Sequence, residues 1–407
     1  MKTSPPSLQV LIAGGGIAGL TAAVAFASRG YSVRLFERAP GFAEIGAGLQ
    51  LSPNATRLLR RLGVLDRLLP AAVRPQAVVL RDARGLNELG RVPLGQAAER
   101  RWGAPYLTVH RADLQSALLA RAEQDPDIAI MKGAAVRDVA FHARGVTLSI
   151  DRNGAIEEAN GGLLIASDGV WSTLRGTAVD GMDDSFTGLV AWRTTLRRGA
   201  APGFAERLIG ADVVTAFLHP HFHLVAYPVR AGAAINLVAV TKGDAQSQSW
   251  AAGTDATVLK TAVSGAAKPL ADLVKEAGRW TSWPLHVVDA KGPWTRPEGV
   301  ALIGDAAHAM TPFAAQGAAM AIEDAEVLAG IVSRHDDDLP LALQIYETER
   351  RPRVLRVEQR GALNRFAWNA SGPVALVRNS VLRRRSGVRL AADLDWLYGQ
   401  DVTQSSG

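Results

Sequence analysis

The chain has 407 residues, 48% of them hydrophobic and 21% charged, with a net charge of +6 and no cysteine. That length calls for more than one compact core, and the composition is globular, not disordered. The lack of cysteine excludes disulfides, thiolate metal sites, iron–sulfur clusters and any cofactor linkage through sulfur; no histidine or carboxylate spacing reads as a metal site, so none is expected.

The apolar stretch Leu8 to Ala27 has the length of a signal peptide, but it lacks a strong basic head and is interrupted by Gly14-Gly15-Gly16. It reads better as a strand, Leu8–Ala13, a glycine turn, and a helix, Ile17–Arg29, that is apolar nearly all round and so pressed against a sheet. Gly30 ends the helix and Ser32–Glu37 is a second strand, completing a β-α-β unit. Ser52 or Pro53 opens a helix over Asn54–Leu62, which Gly63 stops. Val73–Gln96 is strand-like and irregular, and Ala112–Glu123 is helical. Ile128–Lys132, Val136–Phe141 and Val146–Ile150 read as strands, Asn153-Gly154 as a hairpin turn, and Gly162–Ala166 as another buried strand.

From about residue 181 the texture changes. Alternation in Leu189–Leu196, Val213–Leu218, His223–Val229 and Ile235–Thr241 predicts an antiparallel sheet with one exposed face. Val258–Ala277 is helical, Gly299–Ile303 returns to a buried strand, and a helix spans Ala318–Ser333. Pro340–Asn369 is a long helix expected to be interrupted at Pro352. No segment offers about 18 uninterrupted apolar residues, so no membrane span is expected. The cationic excess sits in Arg350–Arg353, Arg383–Arg385 and Arg389. It reads as a solvated basic helix face, the alternative being attraction of anionic ligands. No basic stripe is interleaved with aromatics, which argues against nucleic acid. A cytoplasmic location is expected.

Three motifs carry chemistry. Gly14-Gly15-Gly16-Ile17-Ala18-Gly19 fits GxGxxG between a strand and a helix, and Glu37 follows at the end of the next strand. This is the dinucleotide fingerprint: glycines admit a pyrophosphate to the helix N-terminus, and the acid accepts ribose hydroxyls. The second runs Leu302-Ile303-Gly304-Asp305-Ala306-Ala307-His308, then Pro312 and Gln316-Gly317-Ala318. A strand delivers an acid, and the helix that follows turns its positive end towards whatever lies above the loop. The third, Ser167-Asp168-Gly169-Val170-Trp171-Ser172-Thr173-Leu174-Arg175, follows a buried strand as a turn into a helix.

In this order, over nearly the whole chain, the three resemble the class A flavoprotein monooxygenases, the single-component aromatic hydroxylases. The resemblance implies an α/β fold: a Rossmann-type, glutathione-reductase-like FAD-binding domain, an inserted antiparallel-sheet substrate domain and a C-terminal helical region. The boundaries expected are 1–75, 105–180 and 285–335 for the first, 76–104 and 181–284 for the second, and 336–407 for the third. It further implies non-covalent FAD, with Gly14, Gly16, Ala18, Gly19, Glu37 and Arg38 at its ADP part and Asp305, Gln316, Gly317 and Ala318 at its riboflavin part. Asp168 would serve both FAD and the co-substrate, NADH or NADPH. O2 would react at the flavin, through a C4a-hydroperoxide, where Pro312 shapes the backbone. His308 would be a flavin-shell or structural residue, the alternative being direct catalysis.

Further stretches resemble the salicylate hydroxylase branch. Glu44 to Ala55 is similar to its loop over the flavin, bringing in Ala47; His110-Arg111-Ala112-Asp113-Leu114 is similar to a segment whose arginine, here Arg111, touches FAD. Ala191-Trp192-Arg193 and Trp396-Leu397-Tyr398-Gly399 are also similar, and the arginines of Tyr346–Arg353 resemble those of a family helix, which implies a structural role. The implied substrate is a hydroxylated aromatic or heteroaromatic acid such as salicylate, 3-hydroxybenzoate or 6-hydroxynicotinate. His223 and Tyr227, four apart on a strand, point to one face; they resemble a His–Tyr pair of related hydroxylases, and a histidine titrating near neutrality suits removal of a phenolic proton. An ordinary sheet-surface His and Tyr is the alternative, and His219 and His221 share their strand parity. Arg193 either binds the substrate carboxylate or makes an inter-strand ion pair. A homodimer is a further expectation. An epoxidase or N-hydroxylase on a non-phenolic substrate, a flavin oxidase or dehydrogenase, and a flavin-binding sensor remain alternatives.

Overall fold

A computed structural model describes residues 8–42, 47–143, 145–179, 182–200, 203, 205–244 and 255–403. Glu44, Ile45 and Gly46, at the head of the expected flavin loop, lie outside the described residues. The first strand, Val10–Ala13, is buried at every position and pairs in parallel with Val33–Glu37 on one side and Leu163–Ala166 on the other. These join Thr295–Arg296, Val300–Leu302 and Ile128–Lys132 in a six-stranded sheet, parallel except for the edge strand Thr295–Arg296. Strands buried on both faces have no need of alternation, hence the runs VLIA and LLIA.

The helix Ile17–Ala27 lies between this sheet and the helix Gly317–Arg334, which explains why its apolar character goes all the way round. Gly30 reverses the chain at φ +86°, a conformation that a Cβ disfavours. Asn153 and Gly154 both have positive φ, as the tight hairpin between Gly145–Arg152 and Ala155–Gly161 requires.

A second sheet of seven strands runs in the order Thr281–Val288, Asp184–Arg197, Ala234–Lys242, Phe222–Val229, Val213–His219, Ala77–Asp82, Glu88–Pro93. Residues 77–93 and strands within 184–288 thus share one sheet, joined by parallel pairing of Val213–Leu218 with Ala77–Asp82. Thr281–Val288 carries the sheet past residue 284. One face packs Phe217, Phe222, Leu224, Leu237 and Trp280 with helices Ala205–Ile209, Thr257–Ala262 and Lys268–Glu276. The stretch expected as one helix over Val258–Ala277 is therefore two helices with a short 3-10 turn at Val263–Gly265 between them.

The expectation of one exposed face is corrected. In Phe222–Val229 every residue but Val225 is buried, because the other face packs against the module carrying the six-stranded sheet. The polar positions of the alternation point inward.

The helix Leu339–Trp368 is continuous, with Pro352 inside it, so the interruption expected there does not occur. Proline removes one backbone donor, but Arg350 and Arg353 on either side are anchored in buried ion pairs that hold the helix in register. No helix among the described residues is long and apolar enough to cross a membrane.

Candidate active site

The parallel sheet brings the three motifs together. Ala13 pairs with Ala166 and Ala166 with Leu302, so three adjacent strands end level and release Gly14, Ser167-Asp168 and, one residue beyond Ile303, Gly304-Asp305 at one edge. Ligands of open α/β sheets bind beyond the carboxyl ends of the strands. The motifs are also tied side chain to backbone. Ser167 Oγ donates to the carbonyls of Ala13 at 2.8 Å and Gly14 at 3.0 Å. Arg175, buried, donates to the carbonyls of Val170, Met182 and Ala306.

The glycines of the first motif divide by function. A Cβ on Gly19 would stand 1.9 Å from the Gly14 carbonyl oxygen, and one on Gly14 2.6 Å from that of Ser167, so both serve close packing. A Cβ on Gly16 would meet nothing within 4 Å: here the backbone faces open space, as a phosphate cradle requires. Glu37 accepts from the N–H groups of Gly15 at 2.7 Å and Ala39 at 2.8 Å, which fixes its carboxylate while leaving lone pairs for ribose hydroxyls. Asp168 is half-buried with Oδ1 sealed and without a partner, and burial raises its pKa. Asp305 is exposed at the strand ends, beside Gly317 at the N-terminus of the 317–334 helix.

Behind this edge lies a buried charge cluster. Asp324 accepts from Gly304 N at 2.9 Å and from Arg350 Nε at 2.8 Å, and lies 2.6 Å from His308 Nε2. Glu323 accepts from Arg350, Arg353 and Asn54 at 2.7, 2.9 and 2.7 Å. Burial by itself would lower the His308 pKa, but the Asp324 carboxylate outweighs it and the pKa is raised. Burial opposes the charged form of Asp324 too, yet His308 and Arg350 bring it down to about 2. Arg350 and Arg353 are therefore not part of a solvated basic face: they are 2% and 9% exposed, and their charge neutralises two buried acids. Arg383, Arg384 and Arg389 are exposed, as expected. Gln316 Nε2 donates to Ser52 Oγ at 2.9 Å, so the second motif grips the far end of the Glu44–Ala55 stretch. Arg353 also donates to the carbonyls of Trp396 and Leu397, and Tyr398 packs edge-on to Trp102 and Tyr106.

The seven-stranded sheet meets this edge through Gly48. Its N–H donates to Asn236 Oδ1 at 2.7 Å, and a Cβ there would stand 2.6 Å from the Tyr227 ring. Ala47 leads into it, and its carbonyl accepts from Arg111 N at 3.0 Å. On the same sheet face, His223 packs against Phe313, with ring centroids 4.6 Å apart, and Trp368, at 5.3 Å. Phe313 follows Pro312, which opens a 3-10 turn that ends on Ala315 at φ +51°, a strained position for alanine.

His219 and His221 do not share the parity of His223. Pro220-His221 is a turn, so His219 belongs to the neighbouring strand, stacks on Phe222 at 4.7 Å and faces Gly265 on the opposite side of the sheet. His223 does not titrate near neutrality either, because burial without an acidic partner pushes its pKa down to about 3. Nor can His223 and Tyr227 serve one hydroxyl: four residues of strand separate their Cα atoms by roughly 13 Å. Tyr227 is a neutral phenol raised by burial, with Arg193 and Asn236 opposing the rise. Arg193 makes no ion pair among the described residues; its guanidinium lies 5.1 Å over the Trp283 ring, its Nε is sealed without a partner, and burial lowers its pKa.

The low His223 pKa has a measurable sign. Between pH 6.5 and about 3 the unfolded chain binds a proton at this residue that the folded chain refuses. Folded-state stability is therefore full above pH 6.5 and falls as the pH drops, by about 2 kcal/mol at pH 5 from this residue. His219, lowered to about 4 by partial burial, adds to the same trend. Urea midpoints at pH 7 and pH 5 should draw closer together in His223→Phe than in the parent; equal pH sensitivity in both would contradict the burial argument.

Residues 7–361 match the family described as FAD binding domain. The chain is 34% identical over 406 residues to a 3-hydroxybenzoate 6-hydroxylase of Polaromonas naphthalenivorans (strain CJ2), covering 99% of this chain and 98% of that one. It is 30% identical to a 6-hydroxynicotinate 3-monooxygenase of Bordetella bronchiseptica (strain ATCC BAA-588 / NCTC 13252 / RB50), covering 97% and 95%. A substrate complex of salicylate hydroxylase superposes with a TM-score of 0.81 at 26% identity, over 98% of this chain and 97% of the other. The open backbone at Gly16, the fixed Glu37 carboxylate and the exposed Asp305 beside a helix N-terminus fit FAD.

Proposed function

The chain belongs to the FAD-binding-domain family of flavoprotein monooxygenases, and we propose that it uses NAD(P)H and O2 to hydroxylate a phenolic aromatic or heteroaromatic acid lying across the sheet face of His223 and Arg193. Bound FAD supplies the redox-active ring that takes hydride and activates O2.

In this reading Gly14, Gly16, Ala18 and Gly19 admit the pyrophosphate, Glu37 accepts the ribose hydroxyls, and Arg38 lies beside it. Asp305 and the backbone of Gln316, Gly317 and Ala318 hold the riboflavin end, with Ala47, Arg111 and Asp168 around it. The substrate carboxylate pairs with Arg193, and the Tyr227 hydroxyl donates to the same end. The ring hydroxyl reaches His223, whose neutral imidazole accepts its proton at a ring nitrogen. A phenolate formed beside that ring stabilises the imidazolium, which burial alone disfavours. Deprotonation raises electron density at the ring carbons ortho and para to the oxygen. Phe313 and Trp368 keep water from His223, and Pro312 shapes the backbone next to it.

The observation that carries this reading is Arg193: a cation with its Nε sealed and no ion pair among the described residues, on the face that also bears His223. NAD(P)H oxidation by the FAD-loaded protein should accelerate with a hydroxylated acid from the group of 3-hydroxybenzoate, salicylate and 6-hydroxynicotinate, and not with the matching compound lacking the carboxylate. Equal stimulation by the two would remove Arg193 from its role. Phe366, Leu376 and Val377 stand 66%, 72% and 64% exposed on the C-terminal helices, apolar area that supports a homodimer through those helices; a monomer in sedimentation velocity would remove it. The need for NAD(P)H supports a cytoplasmic location.

A further inference from the structure

A cleft of about 520 Å3 opens at the end of the seven-stranded sheet, with Ala47 and His110 among its lining residues and four arginines, Arg193, Arg197, Arg230 and Arg279, around it. Strand register explains how they gather. Arg193 and Arg197 lie four apart on one strand, on one face. Arg197 pairs with Ala234, and Ala234 with Val229, which brings the turn residue Arg230 to the same end of the sheet as Arg197, one strand removed. Thr281 pairs with Arg193, so Arg279, two residues earlier, comes alongside Thr195 between the two strand arginines. No described acidic residue lines the cleft.

The neighbouring Arg198 differs from Arg197 and Arg279. Arg198 is held by Glu206 at 3.1 Å and by the Ala211 carbonyl at 3.0 Å. Arg197 and Arg279 are exposed and have no ion pair among the described residues.

One carboxylate needs one of these arginines, and Arg193 provides it. The outer three present more positive charge than a single-ring monoacid can use, in a cleft whose volume suits a larger ligand. Adjacent phosphates are the partners for which several forked guanidiniums are suited. Of the other two substrates of the proposed reaction, O2 carries no charge, whereas the nicotinamide dinucleotide carries a pyrophosphate and must approach the bound flavin, whose loop residue Ala47 lines this cleft. The geometry points to Arg197, Arg230 and Arg279 as the binding site for the pyrophosphate of the nicotinamide coenzyme, with Arg193 left to the aromatic acid. This rests on the reading of the chain as an NAD(P)H-dependent hydroxylase.

Titration calorimetry of the FAD-loaded protein with ADP-ribose, which has the pyrophosphate but no nicotinamide, tests it directly. The parent should bind ADP-ribose with a Kd that weakens as salt rises, and adenosine should bind far more weakly. Arg197→Gln with Arg279→Gln should raise the ADP-ribose Kd by 10-fold or more, about 1.4 kcal/mol or above, and leave the Kd of the aromatic acid within about twofold. Lysine at both positions should recover most of the loss. Absence of ADP-ribose binding in the parent, an unchanged Kd in the double variant, or a loss that falls on the aromatic acid instead or equally on both would overturn the proposal. The hydroxylase reading fails separately, if no aromatic acid stimulates coenzyme oxidation.

Discussion

Asp324→Ala should cost about 3–5 kcal/mol of stability, the range for removing one member of a buried ion cluster. The side chain is fully buried and satisfies three donors at once: His308, Arg350 and the Gly304 N–H. Alanine leaves His308 without its acid, leaves Arg350 with Glu323 alone, and frees the backbone at the mouth of the cofactor edge. Urea unfolding reads the loss, and the bound-flavin absorbance of the purified protein should fall with it. Asp324→Asn keeps the shape and hydrogen-bond acceptance of the carboxylate at Gly304, so it should cost less than alanine while no longer supporting a protonated His308. A urea midpoint for Asp324→Ala equal to that of the parent would show that the cluster does not hold this edge.

The second large effect is catalytic. His223→Ala should lower kcat for hydroxylation by about 10²–10⁴, the usual contribution of positioned proton transfer, with little change in substrate Kd. Tyr227→Phe should do the reverse. It loses a hydrogen bond to a charged group, worth about 1.5–3 kcal/mol, so substrate Kd rises by about 10-fold or more while kcat stays within a few-fold. The split follows from strand geometry, which sets the two side chains too far apart to serve one group of a single-ring acid. Coenzyme consumption should continue in His223→Ala with reducing equivalents leaving as hydrogen peroxide, because the flavin edge is untouched. If both variants lose kcat equally with unchanged Kd, the two-ended placement is wrong.

Much of the cofactor edge was legible in the sequence because its parts are local. Gly14–Gly19, Glu37 and Gly304–Gly317 each sit at a strand end, and parallel pairing brings strand ends together without any further information. The hydroxylase family was legible for the same reason, since the order of three local motifs carries it. The site face of the seven-stranded sheet was harder. His223 and Tyr227 alternate with Phe222, Leu224 and Ala226, and such alternation suggests a solvated face. Here the polar phase faces a second module, which only the tertiary arrangement reveals. The same long-range packing sets the His223 pKa and separates it from His219 across a turn.

The charge cluster left a signal that was available. Glu323-Asp324, with Glu326 close behind, interrupts an apolar helical run, and acids at such positions need buried cations. Arg350 and Arg353 lie three apart on the next helix and supply them. The arginine cleft left none, because Arg197, Arg230 and Arg279 come from three separate strand ends and meet only through antiparallel register.

The most direct test of the account is the origin of the inserted oxygen. FAD-loaded protein, NAD(P)H and a hydroxylated aromatic acid that stimulates coenzyme oxidation should be incubated under isotopically heavy O2 in ordinary water, and the product weighed by mass spectrometry. One heavy oxygen atom should appear in a new hydroxyl ortho or para to the existing one. A product without heavy oxygen, or coenzyme oxidation that gives only hydrogen peroxide with every acid tried, would contradict it.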